Sequence, residues 1–231
     1  INMRTLNCLI TGASSGIGSS VAQELSKSVK HIYLLSRNTS KLEAINDKII
    51  SNGCECTIVP IDLCKPNVIE NLSEEIFKKD KFLDIIVSSA GQITKLSPVE
   101  SIDLNELNDT INLNYISNFR IMKHFHPLLK NSKKSNFVII SSIKTQMKSQ
   151  YWGIYQPIMT ALNELVLSFA NENKGNSINA NIIYPGAVNT KFRENIMPGE
   201  NKKQIKDPVD VASAIVKFLL SNENSGEIIK L

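Results

Sequence analysis

Three glycines follow a short apolar segment near the start of the chain, in the stretch TGASSGIG at residues 11–18. Glycine lets the backbone turn sharply and approach a diphosphate closely, although tight turns also use it for purely conformational reasons. A helix beginning here would add unpaired N–H groups and partial positive charge. The position between a predicted strand and a predicted helix favours nucleotide binding, with Gly12, Ser14, Ser15, Gly16, Ile17 and Gly18 as candidate contacts.

The second apolar segment ends in LLSRN, which places Ser36 and Arg37 where a dinucleotide site that prefers NAD has a carboxylate. Arginine favours a 2′-phosphate, so we expect NADP(H) to be preferred, with NAD(H) possible. A solvated arginine at a strand end is the alternative. Asp62, after the third segment, is placed to accept a hydrogen bond from an adenine amino group or to cap the next segment.

Short apolar segments alternate with segments of helical periodicity along the whole chain. The predicted strands are residues 6–10, 31–36, 56–60, 83–89, 136–142, 178–184 and 226–230. The pattern predicts an α/β fold, a Rossmann-like doubly wound parallel sheet of about seven strands with helices on both faces. At 231 residues we expect a single domain spanning 1–231. Ligands of such sheets bind at the carboxyl ends of the strands.

Composition narrows the classes of function. Lys+Arg number 26 and Asp+Glu 22, and the lysines are scattered along the chain, so we expect no nucleic-acid partner. No apolar segment approaches the roughly 20 residues of a membrane span, and the start lacks a signal-peptide pattern, which predicts a soluble cytoplasmic protein without membrane contact. Neither the four cysteines nor the three histidines have metal-ligand spacing, so we expect no metal site and reduced, mostly buried thiols.

The motifs together resemble one family, the short-chain dehydrogenases/reductases, over essentially the whole chain. The residues that carry the likeness are the TGASSGIG stretch, Ser88–Ser89–Ala90–Gly91, Asn114, Ser142, Tyr155 and the stretch YPGAVNT at 184–190. Ser142 and Tyr155 stand 13 residues apart, as in the family. The resemblance implies that Ser89, Ala90 and Gly91 contact the cofactor.

The same resemblance implies the catalytic residues. Tyr155 would protonate a carbonyl oxygen as hydride arrives from the nicotinamide, Ser142 would hold that oxygen, and Asn114 would support a proton relay through water. A phenol is a suitable donor, and a hydroxyl is a neutral polarising group. Tyr155 would also contact the cofactor, whose nicotinamide end would be lined by Pro185, Gly186, Val188 and Thr190.

One position departs sharply from the family pattern. A lysine is expected four residues after the tyrosine, where it could lower the tyrosine pKa and bind the nicotinamide ribose, and this chain has Met159. Methionine has no charge and only a weak acceptor sulfur. Lys144, Lys148 and Lys191 are candidate substitutes, although loop lysines are usually solvated.

Two hypotheses about function follow. The first is an NADP(H)-dependent oxidoreductase that reduces a carbonyl of a small or sugar-like molecule, with alcohol as the product. The second is a cofactor-binding regulator or scaffold that has lost turnover because of Met159. We expect a polar substrate lid at 190–207. Apolar stripes on the Tyr155 helix and on the long helix before it suggest a homodimer, as the family commonly forms, with a monomer as the alternative.

Overall fold

The computed structural model describes residues 5–142 and 150–231. Seven strands of this described chain form one parallel sheet in the order β3-β2-β1-β4-β5-β6-β7. The strands are β1 Asn7–Thr11, β2 His31–Ser36, β3 Glu55–Pro60, β4 Ile85–Ser88, β5 Ser135–Ile140, β6 Ile178–Tyr184 and β7 Ile228–Lys230. The strand order reverses between β1 and β4, so a crevice opens there at the carboxyl edge of the sheet.

Helices connect the strands. They are α1 Gly16–Leu25, α2 Thr39–Ser51, α3 Val68–Lys79, α4 Leu104–Ile111, α5 Ser117–Asn131, α6 Gln156–Glu172, α7 Lys191–Ile196 and α8 Pro208–Ser221. A π-helical turn, Asn112–Ile116, joins α4 to α5. The long helix expected over 104–129 is therefore interrupted, because the backbone takes one wider turn around Asn114.

Two apolar cores lie on the two faces of the sheet. One buries side chains of α3, α5 and α6, including Ile76, Phe125 and Val166. The other buries side chains of α1, α2 and α8, including Val21, Ile49 and Ile215. All five residues of β1 are buried, as expected of a parallel strand covered on both faces. The predicted fold class, a doubly wound parallel sheet, is confirmed.

The apolar stripes differ in burial. On α6, Ile158, Leu162 and Phe169 are buried within the chain and belong to its own core. On the long helix, Leu104 is 68% exposed and Phe119 is 44% exposed. The α6 stripe therefore has an explanation that needs no partner, and the homodimer stays a prediction.

Several other predictions concern cysteines, metals and membranes. All four cysteines are free thiols; Cys8 and Cys54 are buried, but Cys64 is exposed. Within 5–142 and 150–231, no three side chains of His, Cys, Asp or Glu are grouped as metal ligands. No helix of those two ranges has the length and apolar character to cross a bilayer.

An ion pair fastens α5 to α3 and to the loop before it. The Arg120 guanidinium donates to both carboxylate oxygens of Glu70, at 2.9 and 2.5 Å, and to the carbonyl oxygens of Leu63 and Lys65, each at 3.1 Å. The Arg120 side chain is only 15% exposed. A hydrogen bond from Arg120 lowers the pKa of Glu70 to about 2. This cluster fixes the helix that leads to the π-helical turn.

We expect Arg120→Met to lower the free energy of unfolding by about 1–2 kcal/mol at pH 7, because two carbonyls and a carboxylate lose their donor. The loss should shrink as the pH falls from about 4 towards 2, because a carboxylate with a lowered pKa stabilises the fold only while it is ionised. Urea denaturation at several pH values measures both effects. Lys78→Met, in an exposed pair with Glu75, is the control and should change nothing measurable. Equal losses in the two variants would contradict this role of Arg120.

Candidate active site

A cavity of about 710 Å³ lies at the carboxyl edge of the sheet, where the strand order reverses. The structure brings nearly all the predicted site residues to its wall. They are Gly12, Ser14, Ser15, Gly16, Ile17, Arg37, Asp62, Ser89, Ala90, Gly91, Asn114, Ser142, Tyr155, Pro185, Gly186, Val188 and Thr190. Gly18 alone among the predicted residues does not line the cavity.

The glycine loop is shaped by close backbone contacts. Gly12 has a φ of +66°, and a Cβ there would lie 2.8 Å from the backbone of Ser89 and Ala90. A Cβ on Gly18 would lie 2.4 Å from the Gly12 carbonyl oxygen. Gly18 is therefore needed to pack the start of α1 against the loop, and no ligand contact is required to explain it.

The start of α1 is open to an anion. Ser15 precedes the helix with extended backbone, and its side chain makes no capping hydrogen bond. The first turn contains no acidic residue. Its N–H groups and positive dipole end are therefore not neutralised by a local side chain, and this is the arrangement that binds phosphate groups.

Two polar residues border the cavity beside β2 and β3. The Ser36 hydroxyl donates to the Ser14 hydroxyl at 2.8 Å, which ties the end of β2 to the glycine loop. The exposed Arg37 lies next to this tie and lines the cavity. Asp62 also lines the cavity, while its carboxylate accepts from the Cys64 N–H at 3.0 Å. Asp62 therefore makes a local turn contact, whereas the N-cap residue of the next helix, α3, is Asn67.

The end of β4 is held by the side chains of two residues. The Thr11 hydroxyl accepts hydrogen bonds from the N–H groups of Ser89 and Ala90, both at 3.1 Å. Asn114, which is 2% exposed in the π-helical turn, accepts from the Gln92 N–H at 2.9 Å and donates to the Gln92 carbonyl at 2.8 Å. Both halves of the Asn114 amide are thus used to hold the segment that follows Gly91. Local π-helical turns of this kind are frequent at functional sites.

A buried phenol also lines the cavity. Tyr155 is 8% exposed, immediately before α6, with its ring centroid 6.1 Å from that of Trp152 and 6.0 Å from that of Phe192. Burial raises the pKa of Tyr155 above its ordinary value. Within the described ranges, no charged neighbour contributes to this shift. The phenol is therefore held in its protonated form at neutral pH.

Met159 lies one helical turn after the phenol. Its N–H donates to the Tyr155 carbonyl at 3.0 Å, and its side chain, 4% exposed, lines the cavity. Of the three lysines considered as substitutes, Lys191 also lines the cavity. Lys144 and Lys148 lie outside the described residues.

A buried polar network that was not predicted joins two residues of the cavity wall, Ser141 and Tyr184, to Asn163, which does not line the cavity. The Ser141 hydroxyl donates to Asn163 Oδ1 at 2.6 Å, and Asn163 Nδ2 donates to the Tyr184 hydroxyl at 2.8 Å. All three residues are less than 7% exposed. The available signal was the spacing of Tyr155, Met159 and Asn163, four residues apart on one face of α6.

The segment expected to form a lid contains a helix that the sequence did not reveal. Thr190 caps α7 by accepting from the Arg193 N–H at 3.2 Å. The Arg193 guanidinium pairs with both carboxylate oxygens of Glu200, at 2.7 and 2.5 Å. Phe192 and Ile196 of this helix line the cavity. The Phe192 side chain of this segment therefore lies close to the phenol. The Arg193–Glu200 ion pair stabilises the fold of the segment.

The doubly wound sheet and the uncapped, glycine-rich start of α1 define a dinucleotide-binding type of α/β protein. The model of the short chain dehydrogenase family matches residues 7–201. The chain belongs to this family, which is a family of oxidoreductases.

Individual relatives are distant. A fatty acyl-CoA reductase from Acinetobacter baylyi is 28% identical over 218 residues, which cover 93% of this chain and 73% of the relative. An alcohol dehydrogenase from the archaeon Thermococcus sibiricus, solved with 5-hydroxy-NADP, has a TM-score of 0.88 at 25% identity and covers 98% of this chain and 96% of its own. A short chain dehydrogenase from Salmonella enterica has a TM-score of 0.93 at 24% identity over 99% of this chain and 96% of its own, which supports the fold alone.

Proposed function

We propose that the protein is an NADP(H)-dependent reductase that converts a carbonyl group to an alcohol, with Tyr155 as the proton donor. The observation that carries this proposal is that the buried phenol and the open start of α1 line the same cavity. Fold and family support hydride transfer. The phenol is protonated at neutral pH, and this favours transfer of hydride to a carbonyl group over oxidation of an alcohol.

The cofactor fits the residues present. The N–H groups at the start of α1 would bind the pyrophosphate, and Gly12 and Gly16, both with positive φ, would allow its close approach. Arg37 would bind a 2′-phosphate, and Asp62 would face the adenine. Pro185, Gly186, Val188 and Thr190 would hold the nicotinamide end. Binding of 5-hydroxy-NADP by the Thermococcus sibiricus relative is consistent with this assignment.

The bound cofactor supplies hydride. Tyr155 donates its phenolic proton to the carbonyl oxygen, while the Ser142 hydroxyl donates a hydrogen bond to the same oxygen and stabilises its developing charge. Asn114 holds the Gln92 backbone and thereby the wall that supports the cofactor. Water is excluded on two sides by the rings of Trp152 and Phe192.

The missing lysine affects the two directions differently. An ordinary phenol with a pKa of about 10 is ionised in only roughly one molecule in a thousand at neutral pH, and burial reduces that fraction further. Alcohol oxidation needs the phenolate, whereas carbonyl reduction needs the protonated phenol that is already present. Met159 is therefore more compatible with reduction than with oxidation.

The surroundings of the phenol also favour one kind of substrate. Trp152, Phe192 and Ile196 line the cavity near Tyr155 with apolar surface. Of the two cations that flank Phe192, Arg193 is paired with Glu200, while Lys191 lines the cavity. Of the small or sugar-like substrates expected from the sequence, a small carbonyl compound with an apolar or aromatic substituent suits this environment better than a sugar-like one.

Met159 also favours a second candidate function, a cofactor-binding regulator without turnover. Following NADPH absorbance with aliphatic, aromatic and polyhydroxylated carbonyl compounds distinguishes the two. Consumption of NADPH with formation of the alcohol supports the reductase. Saturable NADPH binding without turnover across the series would establish the regulator instead.

We expect Arg37→Ala to weaken NADPH binding by about 10- to 100-fold and to leave NADH binding nearly unchanged, because only NADPH carries the 2′-phosphate. Fluorescence titration with both reduced cofactors measures the ratio. Lys41→Ala, which removes an exposed cation of α2 that does not line the cavity, is the control. Equal weakening for the two cofactors in Arg37→Ala would contradict the assignment of this residue.

A further inference from the structure

We infer that Asn163 is a positioning residue for the proposed reduction. It holds α6, which Tyr155 directly precedes, in register with the ends of β5 and β6, where Ser142 and the nicotinamide loop begin. The inference rests on the proposed function, because it concerns the geometry of that same site. Asn163 itself does not line the cavity and would touch neither substrate nor cofactor.

The hydrogen bonds of Asn163 connect three elements. Its Oδ1 accepts from the Ser141 hydroxyl at 2.6 Å, directly after β5, and its Nδ2 donates to the Tyr184 hydroxyl at 2.8 Å, on the last residue of β6. Ser141 is also bound to β6 through its N–H, which donates to the Ile183 carbonyl at 2.9 Å. The network is thus a bridge from one helix to the adjoining ends of two strands.

Each of the three residues in this network is linked to a proposed site residue, either as its neighbour in sequence or along one face of a helix. Ser141 precedes Ser142, Tyr184 precedes Pro185 and Gly186, and Asn163 lies two helical turns from Tyr155 on the same face. A rotation or slide of α6 against the sheet would change the distance between the phenol and the Ser142 hydroxyl. Asn163 resists that movement because either shift breaks a hydrogen bond between buried side chains.

Met159, which lies between Tyr155 and Asn163 on this face, increases the dependence of the orientation of α6 on Asn163. Met159 is apolar and buried, so its side chain contributes packing without a directional polar contact on this face. At intervals of four residues, the side chains on this face are Tyr155, Met159 and Asn163, so Asn163 is the first polar side chain after Tyr155. The orientation of the helix is fixed by a neutral amide and two hydroxyls.

The test compares Asn163→Leu with Asn181→Leu. Asn181 is a matched control because it is also buried, lies on β6, and uses both halves of its amide, donating to the Asn224 carbonyl at 3.0 Å and accepting from the Glu227 N–H at 2.8 Å. Asn163→Leu is expected to lower kcat for carbonyl reduction by about 10- to 100-fold, while the Kd for NADPH changes by less than about threefold. Asn181→Leu is expected to lower Tm to a similar extent with kcat retained.

Two milder variants keep the inference testable if Asn163→Leu does not fold. Tyr184→Phe and Ser141→Ala each remove one hydroxyl of the bridge, and each is expected to lower kcat by about 3- to 10-fold. The double variant should be less impaired than the product of the two single effects, because the first loss already releases part of the bridge.

The outcomes distinguish failure of the role of Asn163 from failure of the proposed function. An active wild-type protein whose Asn163→Leu variant keeps its kcat, or whose Asn181→Leu variant loses kcat equally, would overturn the role of Asn163 alone. A wild-type protein that binds NADPH but reduces no carbonyl would overturn the proposed function, and the role of Asn163 in it. If the effects of Tyr184→Phe and Ser141→Ala on kcat multiplied fully in the double variant, the two hydroxyls would not act through one residue.

Discussion

Tyr155→Phe is expected to lower kcat for carbonyl reduction by about 10²–10⁴-fold and to leave NADPH affinity nearly unchanged. Phenylalanine keeps the ring between Trp152 and Phe192 but removes the only proton that the phenol could donate. Stopped-flow absorbance of NADPH oxidation at saturating cofactor measures the loss. In the wild type, the reductive rate should stay flat from about pH 6 to pH 9, because burial raises the pKa of Tyr155 and the donor remains protonated over that range.

Tyr151→Phe is the matched control for this substitution. Tyr151 is a nearby tyrosine that is 52% exposed, so loss of its hydroxyl should leave kcat unchanged. If Tyr155→Phe reduced carbonyls as fast as the wild type, another group would have to deliver the proton. A wild-type rate that fell steeply between pH 6 and pH 8 would equally contradict a protonated phenol as donor.

Met159→Lys is expected to raise the rate of alcohol oxidation by about 10- to 10³-fold at pH 8, because an ammonium group one helical turn from Tyr155 lowers the phenol pKa and increases the phenolate fraction. Carbonyl reduction should change far less. The Met159 side chain lines the cavity, so a lysine there can extend towards bound cofactor. Initial rates with NADP⁺ and a secondary alcohol, measured across pH, test this expectation.

Met159→Leu is the control, because leucine preserves apolar volume at a position that is 4% exposed. It should leave both directions of the reaction near their wild-type rates. In the wild type, oxidation should rise about tenfold per pH unit below the phenol pKa, and in Met159→Lys this rise should level off at lower pH. Unchanged oxidation in Met159→Lys, with a folded protein and normal NADP⁺ affinity, would contradict the view that a missing cation limits this direction.

The sheet could be predicted from the sequence because its inner strands are buried on both faces, although the edge strands β3 and β7 are more exposed. Residues 31–36, for example, contain the apolar run Ile32–Leu35, and the strand His31–Ser36 occupies that range. The glycine loop was equally predictable, because Gly12 and Gly18 leave no space for a Cβ. A buried strand and a glycine turn each leave a signal in the residue types of one short segment, even where the contacts that require them are distant in sequence.

Features that depend on long-range contacts could not be predicted. Asn163 bonds with Ser141 and Tyr184, which are 22 and 21 residues away, and only the packing of α6 on the sheet brings them together. The helix α7 is short and polar, and its stability comes from a Thr190 cap and the Arg193–Glu200 pair. Apolar periodicity, the main signal for helices, is weak in such a segment.

The central claim is that the open start of α1 binds the pyrophosphate and places the nicotinamide beside the Tyr155 phenol. Trp152, the single tryptophan of the chain, has its ring 6.1 Å from that of Tyr155 and can report this placement. Titration with NADPH, followed by calorimetry and by energy transfer from Trp152 to the reduced nicotinamide, should give one saturable site with efficient transfer. The absence of heat and of energy transfer with both NADPH and NADH would contradict the claim.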